Sequence, residues 1–443
     1  MIFILAVVII YFSIFCIIRA EIDSSSFSCM KKRYSFFVPV SFSLTMALVG
    51  MISNTSFYLN IPIEVNIYLV YVVAILFLPF LLKRRSHLKI EINFSTLDIS
   101  ERIIITLIFY MAILYIYRSF APWSDQDEIT IYGFNTKLIA NGFTYSSNAD
   151  FMLPGWPRFA ESLYAYFYYV SETTIFPKII KIIGLFTTAQ LLYFITHYIT
   201  RNIKYALTAS LCFLITPEFS YMASSLKTDN VSMVFEFTAL VITILLFFER
   251  ELISHSLFKY YAAIAVLISI VAVSTRLSAL YNLFIVSTVV TYILFLKNKK
   301  QCIFLVMISI IICVPYFFGY WINLYTYGNP IYPLGLELMD LFPQMEYEAD
   351  WLIDFRKSRY NINLNNAILE FIYVAAYMSF GFGTQLFDSF PQIIHPLHKG
   401  VSYGWANPIL VTMFLLLFLV KEYRKMIFPL VIFFLLYQKQ LVF

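Results

Sequence analysis

The run from Ile2 to Ile18, IFILAVVIIYFSIFCII, contains no charged side chain and decides the class of the fold. An α-helix rises about 1.5 Å per residue, so roughly 20 apolar residues cross the hydrocarbon core of a bilayer. No basic residue precedes the run and no A-x-A cleavage site follows it, although a signal peptide would show both. We therefore interpret the run as a membrane-spanning helix.

Further apolar runs of this kind repeat along the chain. The predicted spans lie near residues 2–18, 35–52, 66–82, 103–120, 178–198, 203–217, 230–248, 258–274, 277–296, 302–320, 405–420 and 426–443. The composition agrees, because 60% of the residues are hydrophobic and only 13% are charged. Backbone polar groups in hydrocarbon must be paired within their own segment, and the alternating pattern of barrel strands is absent. The sequence predicts an all-α integral membrane protein with about 12 transmembrane helices.

The basic residues predict the orientation of these spans. Lys and Arg concentrate in one set of alternate loops, and short loops rich in them stay in the cytoplasm. The members of this set are Arg19, Lys31, Lys32, Arg33, Lys83, Arg84, Arg85, Lys89, Arg102, Arg201, Lys204, Arg250, Lys259, Lys297, Lys299, Lys300, Lys421, Arg424 and Lys425. We expect the opposite loops, which are richer in acid, and the N-terminus to lie on the outer face of the cytoplasmic membrane.

Two long loops fall on the predicted outer face, at about 121–177 and 321–404. Both are dense in aromatic, Pro and acidic residues, and we expect them to contain helices that lie in the membrane interface. The aromatic run 164–169 is interpreted as a belt at the level of the lipid headgroups. The apolar stretch 366–380 would reverse the downstream topology if it crossed the bilayer, and we favour an interfacial or re-entrant helix there.

Several functions are disfavoured by the same composition. The net charge of +5 comes from scattered loop residues rather than a basic groove, so no nucleic-acid partner is expected. The five cysteines show no CxxC or Cys/His ligand spacing. A Gly-rich phosphate loop is absent, so direct use of a nucleotide is not expected. We expect no cofactor, and nothing in the sequence supports a divalent metal.

An acidic motif opens the first outer loop directly after a predicted span. Asp125, Asp127 and Glu128 place three carboxylates within four positions. Like charges so close raise at least one pKa, which suits a general base or a site for a hydroxyl-bearing or cationic ligand. A solvated start of a loop would also account for these residues.

A short helix follows the acidic motif. Residues 129–140 interleave Tyr132, Asn135 and Lys137 with apolar residues, and the pattern ends at Asn141-Gly142. Arg158 comes later in the same loop, after a Pro- and Trp-containing segment. Glu236 stands within a predicted span, where we expect it at a helix contact or in a polar cavity.

An outer loop with a paired acidic motif, followed by Tyr and Lys on an amphipathic helix that ends in Asn-Gly, resembles the GT-C superfamily of membrane glycosyltransferases. These enzymes include protein O-mannosyltransferases and the lipid A aminoarabinose transferase. Three further motifs follow in the same order and on the same predicted side. They are Lys227-Thr228-Asp229, Thr275-Arg276-Leu277-Ser278-Ala279 and Gly328-Asn329-Pro330-Ile331-Tyr332-Pro333. The chain departs from relatives in carrying Arg276 where a Lys is usual and in having three spans before the acidic loop.

The resemblance implies a transfer of sugar from a polyprenyl-phosphate donor to a glycan, lipid or protein acceptor, with membrane lipids around the site. It implies catalysis by Asp127 or Glu128, with Asp125 as a neighbouring candidate. It implies substrate contacts from the residues Arg276, Lys227, Asp229, Tyr132, Lys137 and Arg158. A carboxylate would take the proton of the acceptor hydroxyl, and the cations would stabilise the phosphate leaving group. Without the resemblance, Arg276 would also fit an interfacial side chain that reaches water.

On this basis we divide the chain into four parts. N-terminal spans and a cytoplasmic loop occupy 1–102, a GT-C-like core with the loop 121–177 occupies 103–320, the second outer loop region occupies 321–404, and C-terminal spans occupy 405–443. Two other functions remain open. An O-antigen polymerase or ligase would rely more on basic residues in outer loops, and a transporter would show two matching halves, which the sequence does not.

Overall fold

The computed structural model describes residues 2–23, 34–88, 97–120, 131–146, 158–215, 226, 228–249, 255–276, 279–297 and 314–327. In this part of the chain every regular element is a helix. The helices are α1 (Ile2–Asp23), α2 (Tyr34–Tyr58), α3 (Ile63–Arg84), α4 (Ile99–Ser119), α5 (Gly133–Ala140), α6 (Phe159–Ser171), α7 (Ile175–Thr200), α8 (Ile203–Ile215), α9 (Asp229–Phe248), α10 (His255–Thr275), α11 (Leu280–Lys297) and α12 (Phe318–Tyr327), with a short 3-10 helix at Arg85–Leu88.

Seven of the described helices are long and apolar enough to cross a membrane, namely α1, α2, α3, α4, α7, α9 and α10. Two further apolar helices, α8 and α11, are shorter. The prediction of an all-helical membrane protein is therefore confirmed for the described residues. The predicted spans at 405–420 and 426–443, the stretch 366–380 and nearly all of the loop 321–404 lie outside them, so the total of twelve spans stays a prediction.

Local signals fix where several helices begin and turn. Asp98 caps the first turn of α4 by accepting the backbone N–H of Glu101 at 2.9 Å, while Glu101 accepts the N–H of Asp98 in return. Asn202 accepts the N–H of Lys204 at 2.9 Å and so caps α8. These bonds satisfy N–H groups that lack partners within the first turn of a helix.

Helix α2 occupies the centre of the bundle and contacts α1, α3, α6, α7, α9, α10 and α12. Small and hydroxyl-bearing side chains allow this close packing, as is usual between helices in membranes. Ser43 and Thr238 of α9 share a hydrogen bond of 2.8 Å between their hydroxyls. A Cβ atom added at Gly50 would lie 2.4 Å from the ring of Phe159, so α6 packs directly on this part of α2.

The bundle has two ends that differ in the residues they carry. At one end, which we call the α6 end, Phe3 of α1 packs against Tyr166 of α6, with 5.3 Å between ring centroids. At the opposite end, which we call the basic end, Phe36 of α2 packs against Phe194 of α7 and Tyr261 of α10. Since these helices run between the two ends, α4 and α8 finish at the α6 end, and α7, α9 and α11 begin there.

The predicted cytoplasmic set of Lys and Arg shares the basic end where it is described. Arg84 donates to the carbonyl of Ile17 near the end of α1. Lys204 at the start of α8 pairs with Asp98 at the start of α4. Arg201 stacks on the ring of Tyr198, 5.1 Å from its centroid. The common sidedness agrees with the sequence, and the assignment of this end to the cytoplasm stays a prediction.

The structure corrects the prediction for the aromatic run 164–169. We expected these residues to form a belt at the membrane surface, but Tyr164 and Tyr166 are fully buried and Phe167 is 2% exposed. Helix α6 packs against α2 and α5, and of the run only Tyr168 and Tyr169 keep exposed surface. A run of large rings stabilises the protein more by displacing lipid and water from a core than by resting on a surface.

Candidate functional site

The acidic motif of the first outer loop, Asp125, Asp127 and Glu128, lies outside the described residues, and so does Lys227. The structure does describe the residues from which these segments extend. Phe120 follows the end of α4, and Thr228 precedes the start of α9. The candidate site is therefore built from the side chains that surround these two points at the α6 end.

Two lysines at the start of α7 are the most unusual side chains at this end. Lys178 is 0% exposed and Lys181 is 1% exposed. They are three residues apart, so their side chains are neighbours on one side of the helix. Burying a cation lowers the stability of a protein by an amount on the order of several kcal/mol, unless opposite charges and hydrogen bonds surround it. Such residues within a membrane-embedded bundle indicate function more often than structure.

The packing of α7 places these lysines level with the start of α9. A Cβ atom at Gly184 of α7 would touch Val234 of α9 at 2.9 Å. The two helices run in the same direction, so three residues before this contact Lys181 is level with Val231. By the same register Lys178 is level with Thr228. The first turn of α9, which begins at Asp229, therefore lies between the level of Lys178 and that of Lys181.

The end of α4 reaches the same level. The ring of Tyr115 on α4 lies 6.0 Å from that of Phe186 on α7, and the two helices run in opposite directions. Five residues after Tyr115, Phe120 is therefore level with Lys181. The hydroxyl of Tyr115 also donates to the carbonyl of Leu214, which joins the ends of α4 and α8. The lysine pair thus lies on a corner formed by α4, α7, α8 and α9, where the acidic segment leaves α4.

Arg276 lies at the α6 end as well, but on the other side of α9. It follows the last turn of α10, and its N–H donates to Ala272 at 2.9 Å. Ser232 of α9 approaches the carbonyl of Ala272 at 3.5 Å, whereas Val234 faces α7. Two residues are about 200° apart on a helix, so α10 and α7 pack on nearly opposite faces of α9. The predicted cation Arg276 and the two lysines therefore flank the first turn of α9.

Arg158 forms an ion pair within the core. It is 1% exposed, and its guanidinium lies 3.4 Å from the carboxylate of Glu161, which is 0% exposed. Burial raises the pKa of Glu161, and the charge of Arg158 opposes that rise. The pair begins α6 next to the Gly50–Phe159 contact. We assign Arg158 an anchoring role in the fold, and its predicted contact with substrate stays a prediction.

Helix α5 begins four residues after the predicted start of its helix and ends where the sequence placed its end. Gly142 adopts a left-handed conformation with φ of +87°, which glycine allows without strain and which stops the helix. Tyr132 and Lys137 are half-buried, while Asn135 and Thr136 between them are fully buried. Helix α5 packs on α6, the helix that carries Glu161.

Glu236 takes part in a hydrogen-bond network inside the helix bundle. Ser232 donates to its carboxylate at 2.7 Å, and the amide of Asn282 on α11 donates to its backbone carbonyl at 3.0 Å. Ser269 of α10 donates to the amide oxygen of Asn282 at 3.2 Å. Glu236 therefore stands at a contact between α9 and α11, as expected, with its backbone carbonyl bonded across that contact.

The described residues contain no group of three or more His, Cys, Asp and Glu side chains that could hold a metal ion. The acidic motif lies outside the described residues, so this finding does not apply to it. The cations described above have charges that suit a phosphate or carboxylate ligand.

No family model, curated protein or solved structure matches this chain. The support for a function therefore comes from the site itself.

The sequence analysis missed Lys178 and Lys181, because it treated Lys178 as the edge of a span. The spacing in Pro177-Lys-Ile-Ile-Lys181 carried a signal, since i and i+3 positions share one side of a helix. A lysine at the end of a span usually extends to water along its stem. Only the folded structure shows that these two are buried.

Proposed function

We propose that this chain is a membrane glycosyltransferase of the GT-C type, which moves a sugar from a polyprenyl-phosphate donor to an acceptor of the cell envelope on the outer face of the cytoplasmic membrane. The observation that supports this best is the buried pair Lys178 and Lys181. Lys181 lies level with Phe120, which precedes Asp125 by five residues in the sequence. The cations that a phosphate needs therefore lie near the point from which the acidic segment continues along the chain.

The reaction needs two kinds of group, a base for the acceptor hydroxyl and cations for the phosphate. The acceptor hydroxyl attacks the anomeric carbon of the sugar, its proton passes to Asp127 or Glu128, and the bond from that carbon to the phosphate oxygen breaks. Negative charge then grows on the departing polyprenyl phosphate. Lys178 and Lys181 would stabilise this charge, with Arg276 on the far side of α9 as a further cation.

A direct test measures sugar transfer from radiolabelled polyprenyl-phosphate sugars in membranes that contain the protein. Lys178→Gln and Lys181→Gln remove one charge each, and we expect each to lower turnover by about 10–100-fold, the range for losing a hydrogen bond to a charged group. Lys204→Gln is the matched control, because Lys204 is about half exposed at the basic end. Turnover within twofold of wild type in both α7 variants would overturn the assignment.

The same lysines also support an O-antigen polymerase or ligase, whose chemistry depends on cations near the outer face. The carrier distinguishes the two, since such enzymes use glycans linked to a polyprenyl diphosphate. Supplying the protein with monophosphate-linked and diphosphate-linked sugars in parallel separates them: product from the diphosphate donor alone would favour the polymerase or ligase.

A further inference from the structure

Glu236 stands out among the described residues that the proposed reaction does not use. It is the only acidic or basic residue within the candidate span Val231–Phe248. It comes seven residues after Asp229, so it lies about 10 Å below the start of α9 at the α6 end. An ionisable group at that depth is costly and is usually retained for function.

The carboxylate is held in place before any ligand arrives. Ser232 is 1% exposed and donates to one carboxylate oxygen at 2.7 Å. Asn282, 5% exposed, fixes the backbone of the same residue from α11, and Ser269, which is fully buried, fixes Asn282 from α10. A carboxylate oriented by a satisfied network loses little freedom when it binds a ligand.

The side chain is nevertheless accessible from beside the bundle. Glu236 is partly exposed, whereas Val234 is 3% and Phe235 is 1% exposed. Phe237 and Leu240, on the same side of α9, are also only partly buried, and Phe247 is 43% exposed. This stripe lies between the face that contacts α7 and the face that contacts α10 and α11. Among the described residues this stripe is the more exposed side of α9, so a ligand would approach Glu236 from the side of the helix.

We propose that Glu236 binds the sugar hydroxyls of a membrane-anchored glycolipid that enters between α9 and α11. A carboxylate accepts hydrogen bonds and donates none when ionised, so it selects hydroxyl donors and repels a phosphate. The lipid tail keeps the sugar close to the membrane, where a water-soluble glycan would not reach a group about 10 Å below the helix ends. The inference rests on the proposed function and identifies which part of a substrate this wall of the site recognises.

Two lipids could present such a sugar, and paired binding measurements distinguish them. Full-length protein in nanodiscs is titrated with undecaprenyl phosphates that carry glucose, mannose or arabinose, and with bare undecaprenyl phosphate. It is titrated in parallel with glucosyl diacylglycerol and with diacylglycerol. In each series the ratio of the two dissociation constants gives the contribution of the sugar.

We expect Glu236→Gln to reduce this sugar contribution by about tenfold or more in one of the two series, with the affinity for the lipid without sugar unchanged. A loss in the undecaprenyl series assigns the site to the donor, and a loss in the diacylglycerol series assigns it to the acceptor. Ser232→Ala should give a smaller loss in the same series, because it removes only the bond that orients the carboxylate.

Glu64→Gln is the control, since Glu64 is an exposed acid in the first turn of α3 at the same end. A sugar contribution unchanged by Glu236→Gln in both series would overturn the inference. Turnover that stays unchanged in both Lys178→Gln and Lys181→Gln while the Glu236 result holds would leave a glycolipid-binding protein, so failure of the proposed reaction and failure of this site are distinguishable.

Discussion

An ion pair at one end of the bundle is exposed, whereas several charged residues at the other end are buried. At the basic end, Lys204 and Asp98 pair across the surface with side chains that are 51% and 45% exposed. At the α6 end, Arg158, Glu161, Lys178 and Lys181 are all at most 1% exposed. Exposed pairs in water stabilise a protein very little, whereas buried charges must be offset by their surroundings. Under the proposed function, the buried lysines at the α6 end serve the site, whereas Arg158 and Glu161 anchor the fold.

The largest expected effect tests whether the α6 end is catalytic. Asp127→Asn and Glu128→Gln remove the candidate base while keeping the size of the side chain, and we expect one of them to lower sugar transfer by about 10²–10⁴-fold. The measurement is turnover of polyprenyl-phosphate sugar in membranes. Undiminished transfer by both variants would show that the acidic motif does not supply the catalytic base.

Breaking the buried ion pair tests whether buried charges contribute more to stability than exposed ones. Arg158→Ala leaves the Glu161 carboxylate buried without its cation, so we expect a loss of about 3–5 kcal/mol in stability. Thermal unfolding in detergent measures this loss. Lys204→Ala at the basic end is the counterpart, and we expect its melting temperature to match that of the wild type. Equal losses at both ends would show that burial does not distinguish these charges.

A smaller loss is expected from the close contact between α2 and α6. Gly50→Ala would place a Cβ atom 2.4 Å from the ring of Phe159, and relief of such overpacking typically costs about 1–3 kcal/mol. Gly184→Ala is the control, because its Cβ would meet the methyl group of Val234 at 2.9 Å and requires a smaller shift. A melting temperature for Gly50→Ala at or above that of Gly184→Ala would contradict the tight packing of α6.

The smallest effect concerns pH, and its sign differs between the two ends. Burial raises the pKa of Glu161, so the folded protein holds that proton more tightly and stability falls as pH rises from about 4.5 toward the raised value. Lys204 and the first turn of α4 lower the pKa of Asp98, so stability falls as pH drops through about 3.8.

Melting temperatures measured across this pH range check both slopes. Glu161→Gln should flatten the decline above pH 4.5, and Asp98→Asn should reduce the decline on the acid side. If Glu161→Gln left the profile unchanged, the carboxylate would already be ionised in the folded protein.

The arrangement of charge could be predicted only in part. The spacing of Arg84, Arg201 and Lys204 between apolar runs placed them at one end, because each span reverses the direction of the chain. The alternation of chain direction also put Asp229 and Arg276 at the opposite end, where α9 starts and α10 ends. It could not tell which faces of α9 meet α7 and α10, so it did not reveal that the two cationic positions flank that helix.

The amino-acid sequence by itself determined that this protein is a helical bundle in a membrane, because long apolar runs can satisfy their backbone only as helices in hydrocarbon. It also determined the end of α5 at Asn141-Gly142, since that signal acts within a few residues. The tertiary structure decided which polar residues are buried. Tyr166, Lys178 and Lys181 resemble interfacial residues in the sequence, and only helices distant along the chain enclose them, because burial depends on neighbours that local pattern does not specify.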